Sequence, residues 1–401
     1  MKRFATLLSV LICLTLTGGG CANDWPRFLG PNANGIAPDQ GINLNWAQRR
    51  PAKLWQVPLG DDGYAGPAVA AGKVYIVDHA GAEDIVRALS LGTGEQLWQF
   101  AYEDSAKPYY GFTRATPAIA DGKVYTFSRF ALVHCLDAET GAKIWSRDVR
   151  ADFKAKAPDY HYSPSPIVDG DWVIVLPGGP DAAVVALHKD TGDTIWQGGG
   201  SDITGYATPV VATVPGIRQY VVFTAVSLIG VATQDGKLLW RLPRPAAYDA
   251  NAATPLVLGD RIFISSNYGA SCAMLDITAG GPVIRWENTQ LMARFSTPVL
   301  HNGYIYGVGE PGHLICLDPE TGQAMWQQPG FEWGGLVLVD GVILALTGRT
   351  GDLVMVGPSA NGYLEIGRFR PLGGQSWTAP IIAHGKVIVR NRSALACFDL
   401  M

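Results

Sequence analysis

From Pro67 to Trp98 the apolar positions fall in four short runs divided by turns. Pro67-Ala68-Val69-Ala70 is a brief apolar run, Ala71-Gly72-Lys73 a turn, and Val74-Tyr75-Ile76-Val77 a β-rich run. Val86-Arg87-Ala88-Leu89-Ser90 then alternates, Gly92-Thr93-Gly94 turns again, and Gln96-Leu97-Trp98 is extended. Short runs of β-prone residues between glycine turns predict four antiparallel strands. Apolar residues at helical spacing are almost absent beyond the leader.

The same order of runs returns along the chain. Its clearest marker reads TGEQLW (Thr93 to Trp98), TGAKIW (Thr140 to Trp145), TGDTIW (Thr191 to Trp196) and TGQAMW (Thr321 to Trp326). Weaker copies end at Trp240 and Trp286, Trp55 opens the series, and Phe369 takes an eighth slot. A recurrence every 40 to 51 residues is the mark of stacked supersecondary units such as propeller blades. The prolines give an independent count. Pro67, Pro117, Pro166, Pro209, Pro255, Pro298 and Pro380 fall in register at the start of a first strand, with Leu336 in the remaining slot. Proline is tolerated there because no ladder donor is needed. The eighth unit ends at Leu400-Met401 without a fourth strand, while Lys53-Leu54-Trp55-Gln56-Val57 stands unassigned before the first unit. Ring closure resolves both and leaves no free sheet edge. The expectation is an all-β, eight-bladed propeller of four-stranded antiparallel blades, closed by the N-terminal strand. It would comprise a signal segment over 1–21, an N-terminal strap over 22–50 and the propeller over 51–401.

Lys2-Arg3 followed by the apolar run Phe4 to Leu16 is too short to span a bilayer and reads as an export signal. Thr17-Gly18-Gly19-Gly20-Cys21 resembles a lipobox, although Gly18 stands where a larger aliphatic residue is usual. Cys21 is thus the expected lipidation site, and cleavage after Ala22 the alternative. Ala22 resembles an outer-membrane sorting signal. The expectation is a protein on the periplasmic side of a bacterial membrane, outer membrane favoured, touching lipid only through that anchor. Cys135, Cys272, Cys316 and Cys397 read as buried apolar residues, and no C-x-x-C exists to hold zinc or haem. The net charge of −4 and the lack of any basic block argue against nucleic acid. No phosphate loop, nucleophile elbow or H-E-x-x-H motif is present.

The repeat LDxxTGxxxW, seen from Leu136 to Trp145 and from Leu317 to Trp326, resembles that of the PQQ-like, quinoprotein-dehydrogenase-like propeller family over about residues 50–401. The resemblance implies that the repeat's tryptophan and glycine dock neighbouring blades. Two branches of that family differ in role: PQQ-dependent alcohol and sugar dehydrogenases, and BamB-type lipoproteins that assist outer-membrane protein assembly without a cofactor. This chain lacks the adjacent cysteine pair of many of the dehydrogenases and the long inter-blade insertions that would build a deep pocket. It is also shorter than they usually are. In length and leader it is similar to the BamB type. It departs from that type in the opening Asp24-Trp25-Pro26-Arg27-Phe28-Leu29-Gly30-Pro31, which resembles the start of many exported PQQ-like proteins. That opening is expected to strap across the ring, with Trp25 and Phe28 as anchors.

Propeller geometry puts the loops entering each first strand on the same face as the loops joining second and third strands. The first class carries Tyr64, Arg114, His161, Tyr162, Tyr206, Asn251, Arg294, Trp333 and Trp377. The second carries His79, Arg129, Asn267, Tyr268, Glu310, Arg349, Arg390 and Asn391. Arginine and aromatic residues anchor binding surfaces and planar anions. The first reading is therefore a scaffold that binds an envelope protein or a small ligand at the channel mouth, with no cofactor. The alternative is a PQQ- and calcium-dependent dehydrogenase, with Trp333 or Trp377 stacking on the quinone and Glu310 with Asn267 binding the metal. Carbohydrate or polymer binding is a third reading. The structural alternative is that these polar groups bond one another and trapped water.

Overall fold

Each apolar run becomes a strand, and the strands assemble into eight antiparallel sheets around one axis. The computed structural model describes residues 23–268 and 270–401, so the leader and Cys21 lie outside the described residues. Blades are numbered here in chain order and strands a to d outward from the axis. Blade 1 comprises Ala68–Ala70, Lys73–Ala80, Glu83–Ser90 and Gln96–Glu103. The first strands of the later blades open one residue after Pro117, Pro166, Pro209, Pro255, Pro298 and Pro380, or at Leu336.

Closure follows the predicted route. Ala52–Pro58 pairs antiparallel with Ala394–Asp399, placing Trp55 opposite Cys397, and becomes strand d of blade 8. Blade 7 gains a fifth strand that the periodicity does not announce. Ile36–Ala37 of the strap pairs parallel with Leu336–Val339 on its axial edge. A second departure is the four-residue helix Val149–Asp152 between blades 2 and 3, capped by the Asp148 carboxylate accepting from the Ala151 N–H at 3.0 Å. Among the described residues no helix is long and apolar enough to cross a membrane.

One irregularity recurs in all eight blades. The c–d pairing slips by one residue, in seven blades just before the marker tryptophan, for example between Gln96 and Trp98, Lys143 and Trp145, and Lys53 and Trp55. In blade 7 the slip falls between Glu365 and Gly367, so Gly367 holds the slot expected of Phe369, which lies two residues further on. Such a bulge re-aims the following side chain. The bulged residue turns outward, so Leu97 is 46% exposed, while Trp98 turns onto the next blade. There its indole N–H donates to the Ala138 carbonyl at 3.1 Å and its ring lies on Gly141. Gly141 has φ +74°, and a Cβ there would sit 2.5 Å from Trp98 Cε3, so glycine is required twice over. Trp145 docks likewise on the Lys189 carbonyl, Trp286 on that of Pro319, and Trp55 on that of Leu91. Trp240 departs: its N–H donates to Gln219 within its own blade. The core is correspondingly divided into clusters between blades, such as Tyr75, Val77 and Trp98 against Val124 and Leu136. Cys135, Cys316 and Cys397 sit opposite the docking tryptophans, and all four described cysteines are buried and unpaired.

Candidate functional site: a blind cup at the channel mouth

The strap decides the shape of the channel. Asp24 accepts from the Ala71 N–H at 3.2 Å and pairs with His384 at 2.7 Å, tying the strap between blades 1 and 8. Trp25 bridges Val69 of blade 1, and the Pro26 carbonyl accepts from the Ile119 N–H of blade 2. The strap then crosses beneath the axis to its pairing with Leu338 in blade 7. Trp25, Phe28 and Leu29 form the floor of a cavity of about 300 Å³ that opens on the opposite face. The absence of long insertions does not preclude a pocket here, because the strap closes the channel from below.

A tier of hydroxyls surrounds the axis above this floor. The Thr116 N–H donates to Ser165 Oγ at 2.9 Å, and the Ser165 N–H to Thr208 Oγ1 at 3.0 Å. The Thr254 N–H donates to Thr297 Oγ1 at 3.1 Å. At these three junctions one blade hands a hydrogen bond to its neighbour, satisfying buried groups without water. These residues immediately precede the register prolines, a Ser/Thr-Pro recurrence visible in the sequence that the proline count passes over.

Above the tier stands an aromatic collar. Tyr64 stacks on Trp377 at 5.1 Å and 18°, and Trp377 meets Phe295 at 5.5 Å and Trp333 edge-on at 5.6 Å. The collar continues through Tyr268 and Tyr248, whose centroids are 5.5 Å apart, to Tyr160 and then Tyr109 and Tyr110. Tyr206 ties two of these loops, its hydroxyl accepting from the Tyr160 N–H and donating to the Tyr248 carbonyl. Tyr109, Tyr110, Tyr160 and Tyr248 were not among the sequence-predicted set. The tyrosine-rich loops Pro108-Tyr109-Tyr110 and Tyr160-His161-Tyr162 carry the signal that would have found the first three, while Tyr248 stands alone in its loop.

Of the sequence-predicted residues, Tyr64, Arg114, Tyr206, Tyr268, Arg294 and Trp377 line the cup. Arg114 donates only to the carbonyls of Tyr110, at 2.7 Å, and Gly111, and burial pulls its pKa down to about 10. Arg294 lies over the rings of Trp333 at 4.6 Å and Tyr268 at 5.0 Å. Beside the cup, Glu310 Oε1 accepts from Asn267 Nδ2 at 2.9 Å and Trp333 Nε1 at 3.0 Å, with Arg294 Nε at 3.7 Å.

The remaining residues of the predicted face stand elsewhere. Arg129, expected at the mouth, is 2% exposed and chelates the Asp104 carboxylate, pinning blade 2 to blade 1 between Phe112 and Phe130. Next to it the buried His79 Nδ1 meets Asp84 at 2.8 Å, and burial raises Asp84 to about 6 against the opposing hydrogen bond from His79. His161 packs edge-on against Phe130 at 5.1 Å, and burial with the nearby Arg129 charge lowers its pKa. Asn391 caps its own turn, its Oδ1 accepting from the N–H groups of Ser393 and Ala394. Arg349 is exposed on a blade 7 turn and does not line the cup. Tyr162, Asn251 and Arg390 are buried and donate to backbone carbonyls, with Arg390 Nη2 left without a partner. A buried arginine or histidine of this kind reads as a mouth residue in sequence because loop membership gives radius and face, not depth.

The proposed quinone and calcium set is not assembled. Calcium requires six to eight oxygens. Glu310 supplies one carboxylate, already shared by two N–H donors and faced by a guanidinium. One face of Trp377 is covered by Tyr64. Among the described residues the one cluster of three potential metal ligands is His79, Asp84 and Asp104, where Arg129 already neutralises Asp104. The residues at the mouth therefore do not fit a calcium-bound quinone.

An eight-bladed propeller with its closing strand, docking tryptophans and one blind end defines the structural class. A family model described as outer membrane protein assembly factor BamB matches residues 82–328, more than half of the chain, and the chain belongs to that family. It is 26% identical over 336 residues to the BamB of Escherichia coli (strain K12), covering 70% of this chain and 82% of that protein. The crystal structure of BamB from Moraxella catarrhalis superposes with a TM-score of 0.64 at 18% identity, covering 87% of this chain and 97% of that one. Quinohemoprotein alcohol dehydrogenase from Comamonas testosteroni gives 0.69 at 13% identity, covering 94% and 80%. At these identities the two structural likenesses establish the fold alone.

Proposed function

We propose that this protein is an exported envelope factor that assists outer-membrane protein assembly by docking an envelope protein on its aromatic mouth. The observation that carries this reading is the asymmetry of the two faces within a BamB-family ring. One face is sealed by the strap, while the other presents Tyr109 at 73%, Tyr110 at 52% and Tyr248 at 53% exposure around an open cup. Exposed tyrosines backed by arginine are suited to protein recognition, since they bury large area at small entropic cost. Export and a lipid anchor at Cys21 belong to the same reading and rest on the leader. Mass spectrometry of the membrane-extracted protein tests the anchor, expecting an acylated Cys21 at the mature N-terminus.

The docking role is tested in the living cell by photo-crosslinkers at positions 109 and 248, with position 40 on the strap face as control. Crosslinks to an envelope protein are expected from the mouth positions only, and loss of the gene should lower the content of outer-membrane β-barrels. An unchanged outer-membrane protein profile in the deletion strain would overturn the reading.

A further inference from the structure

We infer that the blind cup is a metal-independent binding site for a small ring-bearing carboxylate. The first ground is charge. Arg114 and Arg294 are the charged residues lining the cup, and none of its lining residues is acidic. Arg114 meets only backbone carbonyls, so no counter-charge cancels it. Glu310 is the carboxylate nearest Arg294, yet it stands at 3.7 Å and is held by Asn267 and Trp333. Partly desolvated guanidinium groups without a carboxylate partner favour an anion and repel a cation. Arginine also presents the planar fork that matches a carboxylate.

The second ground is shape. The cavity of about 300 Å³ lies at the small end of the range for small-molecule pockets. It is closed below by Trp25, Phe28 and Leu29, so a ligand enters only from the collar. Its walls are rings: Tyr64, Tyr206, Phe295 and Trp377 among them. An inorganic anion such as phosphate would satisfy the arginines and leave these aromatic walls wet. A ring carrying one carboxylate satisfies both, with the ring between aromatic faces and the acid at the arginine level. The hydroxyl tier below is already engaged between blades, so little polar demand remains deeper in the cup.

This site stands apart from the docking reading, since it is measured on the purified protein alone. The probes are 3-phenylpropanoate, indole-3-acetate and cyclohexanecarboxylate, each beside its primary amide, with inorganic phosphate as a further arm. Binding is followed by saturation-transfer NMR and calorimetry in EDTA and again with added calcium. The acids are expected to bind at least tenfold more tightly than their amides, equally with and without calcium. Arg114→Gln and Arg294→Gln should each remove that preference, Arg114→Lys should keep part of it, and Trp377→Ala should weaken acid and amide alike. Thermal melts of each variant separate a lost site from a lost fold. Equal binding of acid and amide would overturn the inference. So would calcium-dependent binding, preference for phosphate, unaltered affinity in both Gln variants, or no binding by any acid.

Discussion

Two sets of tryptophans occupy two radii of this ring, and their surroundings differ in kind. Trp55, Trp98 and Trp145 lie at the outer junctions, 6 to 9% exposed, each giving its N–H to a carbonyl of the next blade. Trp333 and Trp377 stand at the channel mouth, half-buried, and meet side chains: Glu310, Tyr64, Phe295 and the Arg294 guanidinium. Backbone partners are independent of sequence at the partner, so the outer arrangement can repeat from blade to blade. Side-chain partners must be specified one by one, so the mouth is unique at every blade. The outer set therefore carries stability, while recognition is the role that the proposed docking assigns to the inner set.

The largest expected break in the outer set is removal of its closing strand. Deleting residues 50–59 leaves Ala394–Asp399 as an unpaired edge, and insoluble protein is expected. A soluble chain that melts like the full one would show that the ring does not depend on this strand. Trp145→Ala empties a docked aromatic position and is expected to cost about 3–5 kcal/mol in denaturant unfolding. Gly141→Ala tests the other half of the same junction. Its positive φ and the approach of Trp98 predict a loss of about 1–3 kcal/mol, and a neutral result would mean the indole yields easily.

A fourth test uses pH at a junction. His134 of blade 2 stacks on Tyr102 at 4.4 Å, and burial lowers its pKa to about 4, with Lys143 adding to the shift. Because the folded value lies below the unfolded one, the neutral ring's contribution is complete above pH 6.5 and is lost as pH falls toward 4. Its expected size is about 1–3 kcal/mol. His134→Phe should flatten the melting temperature across that window, and an unchanged acid slope would assign the titration to other groups. The smallest effect belongs to the mouth. Tyr109→Ala and Tyr248→Ala should each change unfolding free energy by no more than about 0.5 kcal/mol, while Tyr109→Ala abolishes the crosslink from position 248 and Tyr248→Ala that from position 109. Variants that unfold like Trp145→Ala would erase the distinction between the two radii.

The sequence by itself determined the ring. The recurrence of Trp98, Trp145 and Trp196, the register prolines and the orphan strand at Lys53–Val57 specify blade number and closure, because each is a local pattern repeated at fixed spacing. It also placed Tyr64, Arg114, Tyr206, Arg294 and Trp377 on one face, since strand order alone decides which loops share a face. Depth was another matter. Arg129 and Arg114 occupy comparable loops, yet one is sealed between Phe112 and Phe130 on Asp104 and the other lines the cup. That difference arises from contacts between blades whose residues are far apart in the chain. The cup itself is the clearest case. A strap whose segment Asp24 to Ala37 has no repeat crosses the axis and turns a channel into a closed vessel. Its path follows from pairing with Val69, Ile119 and Leu338 at once, a convergence that exists only after the blades have formed.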